Sequence, residues 1–368
     1  MKTLKRVLAI IAFGAVGAGV GWGLMNFLLA YLPDGGMGAY FILLGAAVPI
    51  FYLHIIVHEA GHLLGGRLSG YTFVSFRVGN IMIARENGKL VRKKHTVAGT
   101  AGQCLLSPPD MVDGKFPLVL YNAGGGVMNL LLGAASFGLF VLLSGLLSVG
   151  FLVSAVIGLF MALFNLIPLR LGMVPNDGYN MLLMGREENA AARRAFWVLL
   201  RANGMFTNGT RPRDLPTEWL DWIESGPLDD PMVASATTLQ YAYLLDKGDT
   251  AEARARMQFL LDNATLTGVH KNELLCELLF LELIRECRPP EIEKLYTKEL
   301  QDYIKLTATY ASRQRLLYGY HRLFTKDTTA AERHLALFQK ACKTSTSLGE
   351  VPGEQELIAL VDEITCPL

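Results

Sequence analysis

The stretch FYLHIIVHEAGHLLGG, residues 51–66, is an apolar segment that contains histidines and a glutamate. His58 and His62 are four positions apart, and Glu59 directly follows the first of them. Because positions i and i+4 of an α-helix share one face, this spacing predicts a helix that presents two imidazoles side by side. Glu59 is the only Asp, Glu, Lys or Arg in the stretch, so the helix is expected to lie in an apolar environment.

The chain of 368 residues divides into an apolar front part and a polar rear part. It is 51% hydrophobic, with a mean hydropathy of +0.32, which is high for a soluble protein. Residues 1–181 carry 12 Lys/Arg and 6 Asp/Glu, whereas residues 182–368 carry 22 and 27. We therefore expect a membrane-embedded domain over residues 1–186 and a soluble helical domain over residues 187–368.

Four charge-poor runs are long enough to cross a bilayer as helices, which takes about 20 residues each. The sequence predicts a polytopic α-helical membrane domain with helices over residues 7–32, 38–66, 116–147 and 150–169. The first run is interpreted as an uncleaved anchor, because it is longer than a signal peptide. Between the second and third helices, residues 71–107 are rich in β-branched and aromatic residues. With the hairpin signal Asn87–Gly88, they predict two or three β-strands.

The distribution of basic residues predicts the orientation in the membrane. Residues 67–115 hold eight Lys/Arg against three acids, and Lys2, Lys5 and Arg6 precede the first helix. By the positive-inside rule, the N-terminus, this connection and the rear domain face the cytosol. The five cysteines lack CxxC spacing and fit reduced thiols in that compartment. We expect a multi-pass protein of a bacterial plasma membrane.

The HExxH pattern predicts a metal site. Two histidines on one helical face can bind one Zn²⁺, and Glu59 can accept a proton from the attacking water. A lone buried histidine is more often a hydrogen-bonded core residue, but ionisable groups in hydrocarbon usually mark function. We therefore interpret His58 and His62 as metal ligands. For His54, one turn earlier, packing or an interhelical hydrogen bond is favoured over a role in the site.

A catalytic zinc takes three protein ligands as a rule, so a third ligand has to be found elsewhere. The extended pattern HExxHxxGxxH matches at Gly65 but has Leu68 in place of the third histidine. Of the other acids in the front half, Asp34 is predicted on the far side of the membrane, and three more fall in polar turns or loops. Asp177, which follows the fourth helix on its return to the cytosolic side, is the best candidate. The alternative is an ordinary Asn-Asp-Gly turn.

Three blocks of sequence together resemble the site-2 protease family of intramembrane zinc metalloproteases over residues 38–186. They are HEAGH at 58–62, AGGGVMNLLLGA at 123–134 and NLIPLRLGMVPNDG at 165–178. The resemblance implies one Zn²⁺ per chain on His58, His62 and Asp177, with Glu59 as the catalytic base and Asn129 orienting the substrate. The twelve-position spacing from Asn165 to Asp177 is wider than usual in the family. The segment must therefore bulge if Asp177 is the ligand.

The expected function is hydrolysis of peptide bonds in a membrane substrate near the cytosolic leaflet. The resemblance implies a single-span membrane protein or a signal peptide as the substrate, in regulated intramembrane proteolysis or in signal- or pheromone-peptide processing. An edge strand within GTAGQCLLSPP, residues 99–109, is a candidate to hold an unwound substrate by β-strand addition. Alternatively, the basic residues of the insertion serve only to contact anionic lipid. The sequence leaves substrate identity, prior cleavage and oligomeric state open.

The rear domain contains three similar segments, which start near Leu239, Leu278 and Leu316 at spacings of 39 and 38 residues. Each predicts an apolar helix, a polar turn and an amphipathic helix, a pattern typical of tetratricopeptide-like repeats. Such an array would bind a protein or peptide partner. The alternative is a plain helical domain with accidental self-similarity. No nucleic-acid partner is expected.

Two other functions compete with the intramembrane protease. A membrane-anchored scaffold or pseudoprotease would recruit partners through its tail and keep any zinc for structure, but such a site does not need Glu59. A prenyl-type membrane protease would cut soluble peptides and would accept substrates that have no membrane span.

Overall fold

The chain is mostly helical, with one small antiparallel sheet inserted in its front half. The computed structural model describes residues 15, 18–19, 21–23, 26–27, 36–95, 100–171, 174–182, 184–224 and 226–364. The predicted first helix, residues 7–32, lies mostly outside these ranges, and its eight described residues are all helical.

Three described helices are long and apolar enough to cross a membrane. The helix α1, which carries the HExxH motif, covers Gly36–Leu68, and α2 and α3 cover Val119–Leu142 and Gly145–Leu166. Neither α2 nor α3 contains a charged residue, and a helix of this kind satisfies its backbone hydrogen bonds internally, as a membrane span must. The three helices match the second, third and fourth predicted spans in type and order.

The turn between α2 and α3 lies earlier than predicted. The predicted helix bounds, 116–147 and 150–169, put the turn at residues 148–149, which is wrong, because α2 ends at Leu142 and α3 begins at Gly145. Gly145 has φ +71°, a backbone conformation that glycine adopts without steric strain. The hydroxyl of Ser148 donates to the carbonyl of Phe140 at 2.8 Å. Ser148 therefore caps a carbonyl at the end of α2 from within the first turns of α3.

The insertion after α1 forms four strands, one more than the largest number predicted. They are β1 (Thr72–Val78), β2 (Ile81–Glu86), β3 (Lys89–Lys94) and β4 (Gly102–Ser107). Every pairing is antiparallel, and the order is β3-β2-β1-β4. The predicted Asn87–Gly88 turn joins β2 to β3, with positive φ at both residues. The strand β4 lies at one edge of the sheet, where the sequence placed an edge strand, and the basic strand β3 lies at the other.

A buried arginine on β1 contacts the start of the edge strand β4. Arg77 on β1 is fully buried, and its guanidinium donates to the carbonyls of Gly79 at 2.8 Å and Gly102 at 3.2 Å. Backbone carbonyls on both sides of the β1–β4 pairing thus accept from the two Nη atoms of a charge that would be costly to bury alone. This position for the start of β4 could not be predicted from the sequence.

Two short strands follow α3, and the rest of the chain is helical. The strands are β5 (Arg170–Leu171) and β6 (Val174–Pro175). The helices are α4 (Asp177–Leu182), α5 (Ala190–Thr207), α6 (Thr217–Glu224), α7 (Pro231–Ala236), α8 (Thr238–Asp246), α9 (Thr250–Asn263), α10 (Gly268–Ile284), α11 (Pro289–Leu295), α12 (Lys298–Leu306), α13 (Ala311–Gly319), which a π-helical turn at Tyr320–Phe324 extends, α14 (Thr328–Thr344) and α15 (Val351–Glu363).

The predicted repeat starts fall in α8, α10 and α13, each followed by a second helix. The pairs α8–α9 and α13–α14 are helical hairpins, whereas α10 is followed by two short helices, α11 and α12. Pro289 and Pro290 begin α11, and Thr297 caps α12 by accepting from the backbone N–H of Leu300. An all-helical tail is therefore observed, and the repeat architecture stays a prediction.

Two compact units divide the chain, and the division passes through α1, α2 and the end of α3. One unit comprises the described part of 1–58 with Gly125–Phe164, and the other comprises Glu59–Gly124 with Asn165–Leu368. This differs from the predicted boundary after residue 186. The reason lies in α5, whose Trp197 shares a core with Tyr71 and Leu106 of the insertion. Trp197 also donates to the carbonyl of Pro109 at 2.8 Å.

Candidate metal centre

The HExxH residues lie on α1, as predicted, and all of them are buried. His58, Glu59 and His62 are each 8% exposed, and His54 is fully buried. The helix is unbroken from Gly36 to Leu68, so the two motif histidines lie one turn apart on the same face. Four polar side chains are thus withdrawn from solvent in an otherwise apolar helix.

The two ring nitrogens of His62 have different partners. Nδ1 donates to the backbone carbonyl of Tyr121 at 2.7 Å, and Nε2 lies 3.4 Å from Oδ2 of Asp177. A hydrogen bond from Nδ1 to a carbonyl fixes the tautomer in which Nε2 is the nitrogen that can bind a metal. His62 therefore presents a lone pair toward the carboxylate that the sequence singled out.

A small hairpin brings Asp177 to this position. The strands β5 and β6 pair with each other, and the Asn176 side chain closes the loop by accepting from the backbone N–H of Leu169 at 2.9 Å and donating to the carbonyl of Ile167 at 2.8 Å. This hairpin takes up the extra residues between Asn165 and Asp177 and is the bulge that the wide spacing required. The aspartate is not in a free turn, because it begins α4.

The ligand atoms of His58, His62 and Asp177 all lie within 4.8 Å of one another, the only such group of three His, Cys, Asp or Glu among the described residues. Ligand atoms held about 2.0–2.2 Å from a tetrahedral zinc lie about 3.4 Å apart, which matches the separation of His62 and Asp177. Two imidazoles and one carboxylate suit zinc, but iron(II) and manganese(II) also accept this donor set. The cluster is therefore a candidate metal site whose geometry leaves the metal open.

Asn129 lies next to His58, a residue of the HExxH motif, and next to His54. It is fully buried, with Nδ2 3.0 Å from Nδ1 of His58 and Oδ1 3.3 Å from Nδ1 of His54. Both ends of its amide are engaged by histidines, which fits a residue that orients His58. Contact of Asn129 with a substrate stays a prediction.

Close helix packing explains the glycine-rich block. A Cβ added at Gly124 on α2 would lie 2.1 Å from the carbonyl oxygen of Gly61 on α1, a distance that no side chain can accept. Gly61 directly precedes His62, so α2 touches α1 beside the candidate metal site. The same contact lets the carbonyl of Tyr121, one turn before Gly124, reach the His62 ring.

Two residues of the site escaped sequence reasoning. Tyr121 contributes its backbone carbonyl to His62 and its hydroxyl to the carbonyl of Cys104 on β4, at 3.0 Å. A backbone carbonyl can make this contact whatever side chain its residue carries, so no sequence pattern could have identified Tyr121. Asn176 could have been found, because Asn before Asp-Gly is a typical loop-closing residue.

In three comparisons, no protein-family model, no curated protein and no solved structure matched the chain. The function therefore has to be inferred from the residues and their geometry.

Proposed function

We propose that the chain is an intramembrane zinc metalloprotease of the site-2 protease type. The observation that carries this proposal is the meeting of His58, His62 and Asp177 within 4.8 Å, next to the acid of an HExxH motif. The long apolar helix α1, which carries His58 and His62, supports a site at membrane depth. The resemblance of the three sequence blocks supports the same class.

The roles of the residues follow from their positions. His58, His62 and Asp177 would hold zinc, which supplies a Lewis acid for the scissile carbonyl and for the attacking water. Glu59 accepts the proton of that water and passes it to the leaving amine. The Tyr121 carbonyl keeps His62 in the tautomer that offers Nε2 to the metal. Zinc is preferred over iron because hydrolysis by HExxH needs no redox change.

The proposed substrate is a single-span membrane protein or a signal peptide, cleaved near the cytosolic leaflet in regulated intramembrane proteolysis or peptide processing. A protease needs its substrate as an extended backbone, and β4 offers an edge for strand addition. Tyr121 supports this role for β4, since one residue contacts both the edge strand and a metal ligand.

Anionic lipid is a second proposed partner of the insertion, at the opposite edge of the sheet. In the β2–β3 register, Ile81 faces Lys94, Ile83 faces Arg92, and Arg85 faces Leu90. All six side chains are exposed, so one face carries three apolar and three cationic side chains and no acid. A surface of this composition fits the boundary between headgroups and acyl chains of a negatively charged leaflet.

The tail is proposed to recruit a protein or peptide partner through tetratricopeptide-like helical hairpins. The helical hairpins α8–α9 and α13–α14 support this proposal. The middle segment weakens it, because α10 is followed by two short helices instead of one.

The competing function is a membrane-anchored scaffold or pseudoprotease. If His62 and Asp177 form only a buried ion pair, their contact favours this second function. Glu59 argues for the protease, because a structural site has no use for a base.

Metal binding and cleavage together test the proposal. Full-length protein purified in detergent should contain one zinc, and Asp177→Asn and His62→Ala should each reduce zinc affinity by at least 100-fold, since two ligands remain of three. Asp113→Asn, an acid outside the cluster, is the matched control. The wild type should cleave a single-span protein in proteoliposomes but not the same peptide without its span.

A wild type that binds no transition metal would reject the metal site, and iron or manganese in place of zinc would reject the zinc assignment. Cleavage of the span-free peptide alone would indicate a prenyl-type protease instead.

A further inference from the structure

A chain of hydrogen bonds among buried side chains runs from His58 into α2 and α3. Nδ1 of His58 contacts Asn129 at 3.0 Å, and Asn129 contacts Nδ1 of His54 at 3.3 Å. Nε2 of His54 lies 3.1 Å from Oγ of Ser154, which lies 2.9 Å from Oγ of Ser136. All five residues belong to one compact unit, and none is more than 8% exposed.

Such a chain needs an explanation, because polar groups withdrawn into apolar helices are costly and apolar residues would pack as well. Interhelical hydrogen bonds in membranes contribute only about 0.6 kcal/mol each on average. Helix association alone is therefore a weak reason for four consecutive contacts. This chain of hydrogen bonds is distinctive because it ends on Nδ1 of His58, a proposed metal ligand.

The donors and acceptors of these hydrogen bonds can be assigned consistently in a direction that suits metal binding. A neutral imidazole donates from one nitrogen and accepts at the other, so His58 can offer Nε2 to a metal only if Nδ1 carries the proton. Nδ1–H then needs an acceptor, which Oδ1 of Asn129 supplies after a 180° rotation of the amide that leaves its contacts in place. Nδ2 of Asn129 next donates to Nδ1 of His54, and His54 donates from Nε2 to Ser154, which donates to Ser136.

The opposite direction does not suit metal binding. If the Asn129 amide donates to Nδ1 of His58, the proton of the neutral ring is on Nε2, and neither nitrogen is free for a metal. The direction is coupled to the tautomer of His54: with the proton on Nε2, Nδ1 accepts from Asn129, and with the proton on Nδ1 it donates to Oδ1 of Asn129. Only the first of these suits metal binding by His58. At His54 the sequence favoured packing or an interhelical hydrogen bond.

The backbone of α3 is shaped to receive the His54 ring. A Cβ added at Gly158 would lie 2.7 Å from Cε1 of His54 and 2.7 Å from the backbone oxygen of Asn129. Any other residue at position 158 would displace the ring or the helix. The close fit of the His54 ring against Gly158 is thus independent of the hydrogen bonds and supports the same arrangement.

We propose that His54 and Asn129 are positioning residues that hold His58 with Nδ1 protonated and Nε2 directed to the metal. The proposal rests on the metal site proposed above. It adds a second group of residues, which contact a metal ligand or each other and not the metal. Groups that hydrogen-bond to metal-ligating histidines typically change metal affinity by roughly 10- to 100-fold when they are removed.

The test measures zinc affinity of full-length variants in detergent by competition with a chromophoric chelator. Asn129→Leu, which has similar size and no acceptor, should weaken zinc binding by roughly 10- to 100-fold. Asn129→Asp, which keeps an acceptor for Nδ1–H, should bind zinc within a few-fold of wild type. His54→Phe should weaken binding less than Asn129→Leu. Ser148→Ala, which removes a buried hydroxyl of α3 outside the chain, should have no effect.

The absorption spectrum of the Co²⁺-loaded protein gives a second readout, since a reoriented His58 changes the ligand field whereas altered helix packing alone does not. Equal zinc affinity in Asn129→Leu and wild type would overturn the positioning role while the metal site stands. Weak binding in both Asn129→Leu and Asn129→Asp would assign the residue to packing and also overturn it. No zinc in the wild type would remove the metal site and this proposal together. If Asn129→Leu does not fold, Asn129→Ala, which also lacks an acceptor, gives the same comparison with Asn129→Asp.

Discussion

Tyr121 joins two parts of the site through two different atoms. Its backbone carbonyl holds His62, and its hydroxyl holds the carbonyl of Cys104 on β4. Its ring stacks on Tyr71 at a centroid distance of 4.7 Å. A substitution of the side chain therefore separates the two contacts, because the carbonyl remains.

Tyr121→Phe should raise the KM for a single-span substrate by about 3- to 10-fold, as the loss of one hydrogen bond of about 1 kcal/mol predicts. Zinc affinity should not change, since the contact to His62 is retained. Tyr71→Phe is the matched control, because its hydroxyl donates to Pro117 rather than to the edge strand. Reduced zinc affinity in Tyr121→Phe, or an equal rise in KM in both variants, would contradict this role.

At the scale of elements, the crossing of α1 and α2 positions the site. The contact between Gly124 and Gly61 allows the two backbones to touch beside His62. Asn129 and Tyr121 both reach the motif histidines from α2, so the helix has to lie at this distance for either contact to form. A side chain at the crossing is therefore expected to affect the proposed metal site as well as packing.

Gly124→Ala should lower stability by roughly 1–3 kcal/mol, the usual effect of overpacking, and should weaken zinc binding. Gly138→Ala on the same helix has no neighbour within 4 Å of the new Cβ and should change neither property. Thermal unfolding in detergent and zinc competition give the two readouts. Tight zinc binding in a stable Gly124→Ala protein would show that the close crossing is not needed.

The exposed face of β2 and β3 gives a second test at this scale. A photo-crosslinking amino acid at Leu90, 63% exposed, should form lipid adducts in bilayers that contain phosphatidylglycerol. The same amino acid at Leu306, 66% exposed on α12, should not. Replacing Arg85, Arg92 and Lys94 by Gln should reduce the adducts, because each cation near an anionic surface contributes about 1 kcal/mol. Protein adducts at Leu90 in place of lipid would indicate a protein partner for this face.

At the scale of the whole molecule, buried ion pairs stabilise the helical tail. Glu282 on α10 is fully buried, and Arg254 and Arg288 contact its carboxylate at 2.7 and 2.8 Å. Hydrogen bonds from Arg288, despite burial and with a further contribution from Arg254, lower the pKa of Glu282 to about 2 from an ordinary 4.5. A lowered pKa stabilises the fold above about pH 4.5, and this contribution is lost as the pH falls toward 2.

Glu282→Gln should therefore reduce the free energy of unfolding by roughly 2 to 3 kcal/mol near pH 7 and by about half of that or less near pH 3. Glu286→Gln changes the same charge beside the same two arginines at an exposed position and should have a smaller effect. Chemical denaturation of the full chain, followed by far-UV circular dichroism, measures both. A pH-independent loss in Glu282→Gln would contradict the lowered pKa.

The parts of the molecule that could be predicted are those that local pattern determines. Helical spacing predicted His58 and His62 on one face, and Asn87–Gly88 predicted a hairpin. Absence of charge predicted four apolar helices, of which the described residues show three in full. Asp177 was found only by elimination, because its approach to His62 depends on the β5–β6 hairpin. The α2–α3 turn, the α5 packing on the sheet and the Tyr121 carbonyl depend on contacts between distant segments, for which the sequence has no periodic signal.

The most direct measurement compares wild type and Glu59→Gln in proteoliposomes with a single-span substrate, with zinc content determined on the same samples. The substitution keeps the shape of the side chain and removes the base, so zinc should remain at one per chain while cleavage falls by at least roughly 10²–10⁴-fold. Equal cleavage in both proteins at equal zinc content, or no cleavage in either, would contradict the assignment of this chain as a zinc metalloprotease.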